Sequence, residues 1–235
     1  MPNFKLLSKY SSDAKTAKSN KSKEYLTAIL YMAPYTQVKG INPCPMAKLA
    51  QCHVGCLYTA GHGAFNNVQQ ARQKKSMLYR DNKELFFVYL REDLTKHEAY
   101  CKKKNVIPVV RLNGTTDINY FNIIREFPDI QFYDYTKVYN RVAKNNIPTN
   151  YHLTLSYSEA SKVYAVNVLA YAMKHNANLA VVFRNKELPD TYLGLKVING
   201  DKNDLRFLDT TGVVVGLYAK GRAKKDTTGF VIDNM

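Results

Sequence analysis

Acidic residues are scarce in this sequence, which has 19 Asp and Glu against 34 Lys and Arg and a formal net charge of +15 over 235 residues. This excess of positive charge attracts polyanions, chiefly nucleic acid, although a generally basic surface would account for it as well. The charge is not confined to one patch, since Lys clusters occur at 15–23, 101–104 and 220–225. Tryptophan is absent, but the hydrophobic content of 46% excludes an intrinsically disordered chain.

Long apolar runs are also missing. No run is long enough to span a membrane, and Lys and Ser interrupt residues 5–23, where a signal peptide would have its apolar core. We therefore expect no membrane contact and a reducing compartment, in which structural disulfides are rare and the four cysteines are thiols or metal ligands. The Lys- and Ser-rich residues 1–24 predict a basic arm, followed by a single α/β domain over 25–235.

Several familiar motifs do not occur. The sequence has no G-x4-G-K-[ST] loop, no G-x-G-x-x-G and no G-x-S-x-G. Their absence argues against an NTPase, a dinucleotide-dependent dehydrogenase and an ordinary esterase. The paired C-x2-C spacing that is typical of zinc knuckles and ribbons is absent too.

What the chain does contain is an alternation of strand-like and helix-like segments. The strand-like segments lie at 26–34, 106–114, 130–136, 151–158, 179–183, 193–200 and 212–221. The helical segments lie at 65–79, 81–103, 119–127, 137–145 and 159–175, and the last has Val163, Val166, Leu169, Ala170 and Met173 on one apolar face. This alternation predicts a parallel sheet, as an open doubly wound sheet or as a partial or complete (β/α) TIM-type barrel.

Polar side chains follow almost every predicted strand. In either architecture ligands bind at the carboxyl ends of the strands, so these side chains are candidates for a shared pocket. The alternative is that strand ends are polar only because loops are polar. The candidates for cofactor or substrate binding are Arg111, Asn113, Ser156 and Asp201, and the candidates for catalysis, with two carboxylates as acid and base, are Asp134, Lys137 and Glu159.

Three of the four cysteines lie in one short segment, CPMAKLAQCHVGC, at residues 44–56. The spacing C-x7-C-x3-C is wider than that of zinc hairpins and suits the looped ligation of an iron–sulfur cluster. Cys44, Cys52 and Cys56 are therefore candidate ligands of a [4Fe–4S] cluster, whose remaining iron would take Cys101, a histidine or an exogenous molecule. Zinc is the alternative metal, and ordinary buried cysteines are the third reading.

A loop with three cysteines directly after the first strand of a β/α array resembles the radical S-adenosylmethionine enzymes, although the cysteine spacing is wider here. The resemblance implies a [4Fe–4S] cluster at the mouth of a full or partial barrel. It also implies S-adenosylmethionine as a second cofactor and radical chemistry on the substrate. The net charge would favour an anionic small molecule or nucleic acid as substrate or partner.

Segments along nearly the whole chain resemble the uncharacterised phage "gene product 88" family. They are CPMAKLAQCHVGCLYTAG, RLNGTTDI, FYDYTK, NYHLTLSYSE and VINGDKNDLRFLDTTGVVVGLYAKG. The resemblance implies a phage-encoded protein in the cytoplasm of a bacterial host, with the cysteine loop and the strand ends in one site. Two functions stay open: an iron–sulfur protein of radical-enzyme type, and a basic nucleic-acid-binding replication protein with a structural metal site.

Overall fold

A computed structural model of the protein describes residues 4–8, 10, 24–56, 58, 60–143 and 147–234. The chain forms two compact units, each assembled from three segments of sequence. Unit 1 consists of Met1–Pro43, Phe65–Asp134 and Pro148–His152. Unit 2 consists of Cys44–Ala64, Tyr135–Ile147 and Leu153–Met235.

The described residues of unit 1 form three parallel strands and three helices. The strands are β1 (Tyr25–Ile29), β2 (Ile107–Arg111) and β3 (Gln131–Thr136), of which the last two residues of β3 belong to unit 2. The helices are α1 (Asn66–Asp81), α2 (Lys83–Lys104) and α3 (Phe121–Arg125). β2 pairs in parallel with β1 and with β3, placing Arg111 opposite Ile29 and Val110 opposite Phe132. The strands and helices predicted for this part of the chain are therefore present.

The start of α2 differs by a few residues from the start predicted for this helix, at residue 81. The N-cap is Asn82, whose side-chain oxygen accepts a hydrogen bond from the Leu85 amide at 2.9 Å. Asp81, the predicted start, is the last residue of α1. Asparagine and aspartate cap helices equally well, so the choice between neighbours depends on where the preceding helix ends.

The beginning of the predicted N-terminal arm packs within unit 1. Leu6 and Leu7 are buried, and their amides donate to Asp93 Oδ2 at 2.7 and 3.0 Å. Leu7 also forms an isolated antiparallel bridge with Leu30. The Lys-rich segment 15–23 lies outside the described residues, and the boundary between arm and domain stays a prediction.

Unit 2 is also an α/β structure. Its strands are β4 (Tyr151–Ser156, whose first two residues belong to unit 1), β5 (Leu179–Phe183), β6 (Thr191–Tyr192), β7 (Leu195–Asn199), β8 (Val214–Tyr218) and β9 (Val231–Ile232). β4, β5, β8 and β7 are neighbours in this order and all run parallel, while β9 pairs in parallel with β5. Only the short hairpin of β6 and β7 is antiparallel among the described pairings of this unit. The predicted α/β class with a mostly parallel sheet is confirmed.

The helix α4 (Lys162–His175) connects β4 to β5, but the apolar face predicted for it is not the face that packs. Val163, Val166 and Met173 are 68%, 60% and 62% exposed. The buried residues lie four apart on another side of the helix: Tyr164, Val168 and Ala172. The helix is apolar on two sides, so its periodicity alone could not identify the packed one. No helix in the described part of the chain has the length and apolarity that a membrane crossing requires.

Candidate functional site

The three clustered cysteines lie in unit 2 on an irregular loop, Cys44–Ala64, which we call the cysteine loop. Its first part is built from turns, such as the one closed by the Ala47 amide and the Cys44 carbonyl at 3.0 Å. Cys44, Cys52 and Cys56 are each half-buried thiols and none is part of a disulfide. Consecutive turns therefore present three soft sulfur donors on one segment of backbone.

The middle of the cysteine loop packs against the C-terminal part of unit 2. Gly55 approaches Ala223 so closely that a Cβ at position 55 would lie 3.1 Å from the Ala223 Cα and 3.4 Å from the Phe230 ring. A side chain there would require Ala223 or Phe230 to shift by a few tenths of an ångström, so the close approach favours glycine. Cys52 packs against a buried apolar cluster consisting of Ala219, Ala223, Phe230 and Val231.

This packing places the cysteine loop at the carboxyl ends of parallel strands. Ser158, two residues beyond β4, donates from its hydroxyl to the Ala50 carbonyl at 2.8 Å. Ala219, in the cluster under Cys52, directly follows β8. Carboxyl ends of parallel strands are the usual location of ligand sites in α/β folds. The cysteine loop follows β1 in sequence, yet within unit 2 it lies at the edge where a ligand is expected.

Two predicted site residues meet at this edge. Lys137 follows β3, and its ammonium donates to the hydroxyl of Ser156, the last residue of β4, at 2.5 Å. The same ammonium lies 4.9 Å from the centroid of the Phe230 ring. The buried Tyr164 hydroxyl donates to the Ser156 carbonyl at 2.7 Å and holds the end of β4 in place. An ammonium beside a hydroxyl at strand ends can bind a carboxylate or phosphate group.

Glu159 and Asp201 each have a local partner in unit 2. Glu159 accepts a hydrogen bond from the Tyr192 hydroxyl, and burial, followed by this bond, raises the pKa of Tyr192. The phenol therefore keeps its proton and acts as the donor. Asp201 accepts from the Tyr218 amide at 2.9 Å and forms an ion pair with Lys220. Both carboxylates hold neighbouring loops, and their predicted roles in catalysis and binding stay predictions.

Three further predicted residues come together in unit 1. Arg111, Asn113 and Asp134 are 2%, 4% and 0% exposed. The Asp134 carboxylate lies 3.9 Å from Arg111 Nε and accepts hydrogen bonds from the Asn113 amide at 2.9 Å and from the Tyr151 hydroxyl at 3.0 Å. Burial raises the pKa of Asp134 to about 6, against the opposing effects of the Arg111 charge and these hydrogen bonds.

This unit 1 network also holds the turn that follows β2. The Asn113 amide oxygen accepts from the Thr116 hydroxyl at 2.9 Å and from the Ile118 amide at 2.8 Å. Its amide nitrogen donates to the Ile118 carbonyl at 3.0 Å. Arg111, Asn113 and Asp134 thus fix the loop at the ends of β2 and β3, and ligand contact by any of them stays a prediction.

Cys101 lies in unit 1, away from the cysteine loop in sequence, and is completely buried in α2. Its sulfur is 3.8 Å from the ring nitrogens of His97, one helical turn earlier. Burial raises the pKa of the Cys101 thiol to about 12. Metal ligation uses the thiolate, so this environment favours a packed thiol over the predicted fourth ligand.

The donor chemistry of the cysteine loop fits a thiolate-bound metal, because three half-buried thiols on one loop suit zinc or an iron–sulfur cluster. Over the described ranges of the chain, no three His, Cys, Asp or Glu side chains stand in positions that would hold a metal ion. The sulfurs would therefore have to draw together around a metal, and a loop made of turns allows such a movement more readily than a helix or strand.

Sequence reasoning did not identify two residues that shape this edge of unit 2. Phe230 contacts both Gly55 and Lys137, and Tyr164 ties the end of β4 to the Lys137 carbonyl. Both are aromatic residues in apolar surroundings, and nothing in their local sequence separates them from ordinary core residues. Only the tertiary contacts reveal their positions.

Comparison with known proteins bears on the two resemblances. No curated protein and no solved structure matches the chain. The resemblance to radical S-adenosylmethionine enzymes therefore receives no support from these comparisons. A family model described as "Gene product 88" matches residues 5–234, which include the cysteine loop and the strand ends of both units. The chain therefore belongs to the Gene product 88 family, the phage family that its sequence motifs predicted.

Proposed function

We propose that this protein is a phage-encoded iron–sulfur protein of the bacterial host cytoplasm, with Cys44, Cys52 and Cys56 as the cluster ligands. The observation that carries the proposal is the docking of the cysteine loop at the carboxyl ends of β4 and β8. Cysteines whose role is only packing are usually fully buried. Three half-buried thiols on one turn-rich loop at that edge therefore support a role in ligation.

The side chains beside the loop suggest how such a protein would use its site. One-electron transfer is the chemistry that an iron–sulfur cluster supplies when bound. Lys137 and Ser156 would orient an anionic group of a cofactor or substrate, because they offer an ammonium and a hydroxyl 2.5 Å apart. The Phe230 ring, 4.9 Å from the ammonium, would limit the positions that Lys137 can take.

The proposal includes a barrel-type arrangement of the strands. Within unit 1 the neighbours β1, β2 and β3 follow the order of the sequence. Within unit 2 β4 is followed by β5, after which β8 and β7 depart from that order, so the proposal is limited to a partial barrel. Sequential neighbours are the order of a (β/α) barrel, whereas a doubly wound sheet reverses its order at a switch point. A partial barrel would open at the strand ends where the cysteine loop lies.

The first test is the metal content of the full chain purified without oxygen. We expect about four irons and four acid-labile sulfides per chain, with the brown colour of a [4Fe–4S] cluster. Alanine at Cys44, Cys52 or Cys56 should remove the iron, whereas Cys101→Ala, the matched control, should retain it. Folded protein that holds no iron, or that loses iron equally in all four variants, would overturn this assignment.

A radical-type activity is the finer part of the proposal and needs a separate test. Iron-loaded protein, given S-adenosylmethionine and dithionite, should form methionine and deoxyadenosine. Lys137→Ala should weaken S-adenosylmethionine binding without changing the iron content. If no deoxyadenosine forms, the radical assignment fails and the iron–sulfur assignment stands on the metal analysis alone.

The second candidate function is nucleic-acid binding with the cysteine loop as a structural metal site. The net charge of +15 favours it. This function predicts one zinc per chain, no colour and no labile sulfide. Because zinc and iron are measured on the same preparation, one experiment separates the two candidates.

A further inference from the structure

A single short turn of unit 2 contacts the cysteine loop on one side and presents a row of cations on the other. We call this 3-10 turn, Gly221–Lys225, the basic turn. Its buried residue, Ala223, is 2% exposed and lies against Gly55 of the cysteine loop. Its first residue, Gly221, has φ of +56° and packs on Ala60, at the other end of the same loop.

The outer side of the basic turn is strongly cationic. Arg222, Lys224 and Lys225 are all exposed. The Lys224 ammonium lies 5.4 Å from the centroid of the Tyr218 ring, and the exposed Lys186 lies 5.7 Å from the same ring. Two of these cations, Lys186 and Lys224, thus lie beside the half-buried Tyr218 at the end of β8, and Arg222 and Lys225 add exposed charge on the same turn.

Two acidic side chains near the basic turn have other partners. Asp201 forms its ion pair with Lys220, next to the basic turn, and accepts from a backbone amide. Asp226 is 2% exposed and accepts hydrogen bonds from the Thr228 hydroxyl at 2.8 Å and from the Val231 amide at 3.0 Å. The exposed surface of the basic turn therefore keeps its positive charge.

We propose that the basic turn binds the phosphodiester backbone of a nucleic-acid strand and holds that strand beside the cysteine loop. A site for one small anion would bury its donors, whereas these cations stand on the surface along a turn and match the repeated charges of a phosphodiester chain. Binding of the strand to the basic turn does not require a metal. The inference rests on the proposed function only where it identifies this strand as the anionic substrate of the cysteine loop.

The chain offers a matched control for the test. Lys102, Lys103 and Lys104 form a second exposed triplet at the end of α2 in unit 1. That triplet also includes a lysine near a tyrosine ring, with Lys104 5.9 Å from the Tyr100 centroid. The triple variants R222Q/K224Q/K225Q and K102Q/K103Q/K104Q therefore remove the same charge from two places.

The experiment is a fluorescence-anisotropy titration of a labelled single-stranded oligonucleotide, and of its duplex, at several salt concentrations. Loss of three phosphate contacts should make the negative slope of log K, the association constant, against log salt shallower by about 2. It should weaken single-strand binding about 100-fold near 0.1 M salt. The basic-turn variant should show this loss, and the control variant should stay within about threefold of wild type. Comparison of the affinities for the single strand and for the duplex shows which of the two the basic turn prefers.

Several results would overturn the inference: no binding by the wild-type chain, an unaffected basic-turn variant, or equal losses in both variants, which would indicate whole-molecule charge. Circular dichroism on both variants shows that they are folded. Iron is measured on the same samples, and the basic-turn variant should keep the wild-type content. Turn-dependent binding without iron would refute the proposed function alone, and iron without turn-dependent binding would refute this inference alone.

Discussion

The Asp134 carboxylate is shielded from solvent, since its side chain is 1% exposed and lies beside the buried Arg111. Asp134→Ala would leave the Arg111 guanidinium buried without a counter-charge, and the Asn113 amide and Tyr151 hydroxyl without their acceptor. We expect this variant to lower the free energy of unfolding by about 3–5 kcal/mol, the usual cost of removing one partner of a buried ion pair. Urea denaturation at neutral pH measures the change.

The exposed ion pair of the same unit provides the comparison. Arg91 Nε lies 2.6 Å from Glu126 Oε2, and the two side chains are 46% and 39% exposed. Glu126→Ala should cost less than about 1 kcal/mol, because solvent screens the pair. If the two variants lower the free energy of unfolding by similar amounts, the buried Asp134 network does not stabilise unit 1 more than an exposed ion pair does.

His97 should make the protein sensitive to acid. Its ring nitrogens lie 3.2 Å from the Val109 carbonyl and 3.2 Å from the Tyr10 hydroxyl, and burial lowers its pKa from 6.5 to about 4. The folded state therefore binds fewer protons than the unfolded state between these values. The stability that His97 contributes is complete above pH 6.5 and is lost as the pH falls to 4, by about 3 kcal/mol.

The measurement is the free energy of unfolding against pH for wild type and His97→Gln. Glutamine keeps a donor for the Val109 carbonyl but does not titrate. The raised pKa of Asp134 acts in the opposite direction, because that group binds its proton more tightly in the folded state and gains stability on acidification. Only the difference between the two curves therefore reports on His97, and parallel curves would contradict the prediction.

At the scale of elements, α4 allows a direct test of which face packs. Val168 is completely buried, whereas Val166, two positions earlier, is 60% exposed. Val168→Ala should lower the free energy of unfolding by about 2 kcal/mol through lost burial and a cavity. Val166→Ala should change it by less than about 0.5 kcal/mol, since surface substitutions have small effects. Thermal denaturation of both variants measures the two changes. A larger loss of stability for Val166→Ala than for Val168→Ala would contradict the packing and would mean that a partner covers the exposed face.

The strands were predictable because their sequences are short apolar runs with turn residues at both ends. The run at 179–183 coincides with β5, β1 begins one residue before its predicted segment, and the other longer strands lie inside theirs. The packed face of α4 was not predictable, because both faces are apolar and only tertiary contacts choose between them. The N-cap Asn82 was missed for a similar reason, since Asp81 beside it is an equally good cap.

At the scale of the whole molecule, the sequence predicted that polar side chains gather at strand ends, and in unit 2 Lys137 and Ser156 are hydrogen-bonded there. It could not predict that Gly55 of the cysteine loop would pack on Ala223 and Phe230, which are more than 160 residues away in sequence. Such contacts leave no local periodicity. The same limit explains why the buried setting of Cys101 became visible only in the structure.

The net charge of +15 should itself make the stability depend on salt. Like charges repel more strongly in the compact state than in the expanded unfolded chain, and salt screens this repulsion over about 10 Å at 0.1 M and about 3 Å at 1 M. We therefore expect sodium chloride to raise the melting temperature of the full chain. The K102Q/K103Q/K104Q variant, with a net charge of +12 by subtraction of three lysines from +15, should start higher and gain less. Melting curves in low and high sodium chloride measure both effects, and a fall in melting temperature with salt would show that attractive ion pairs outweigh the net repulsion.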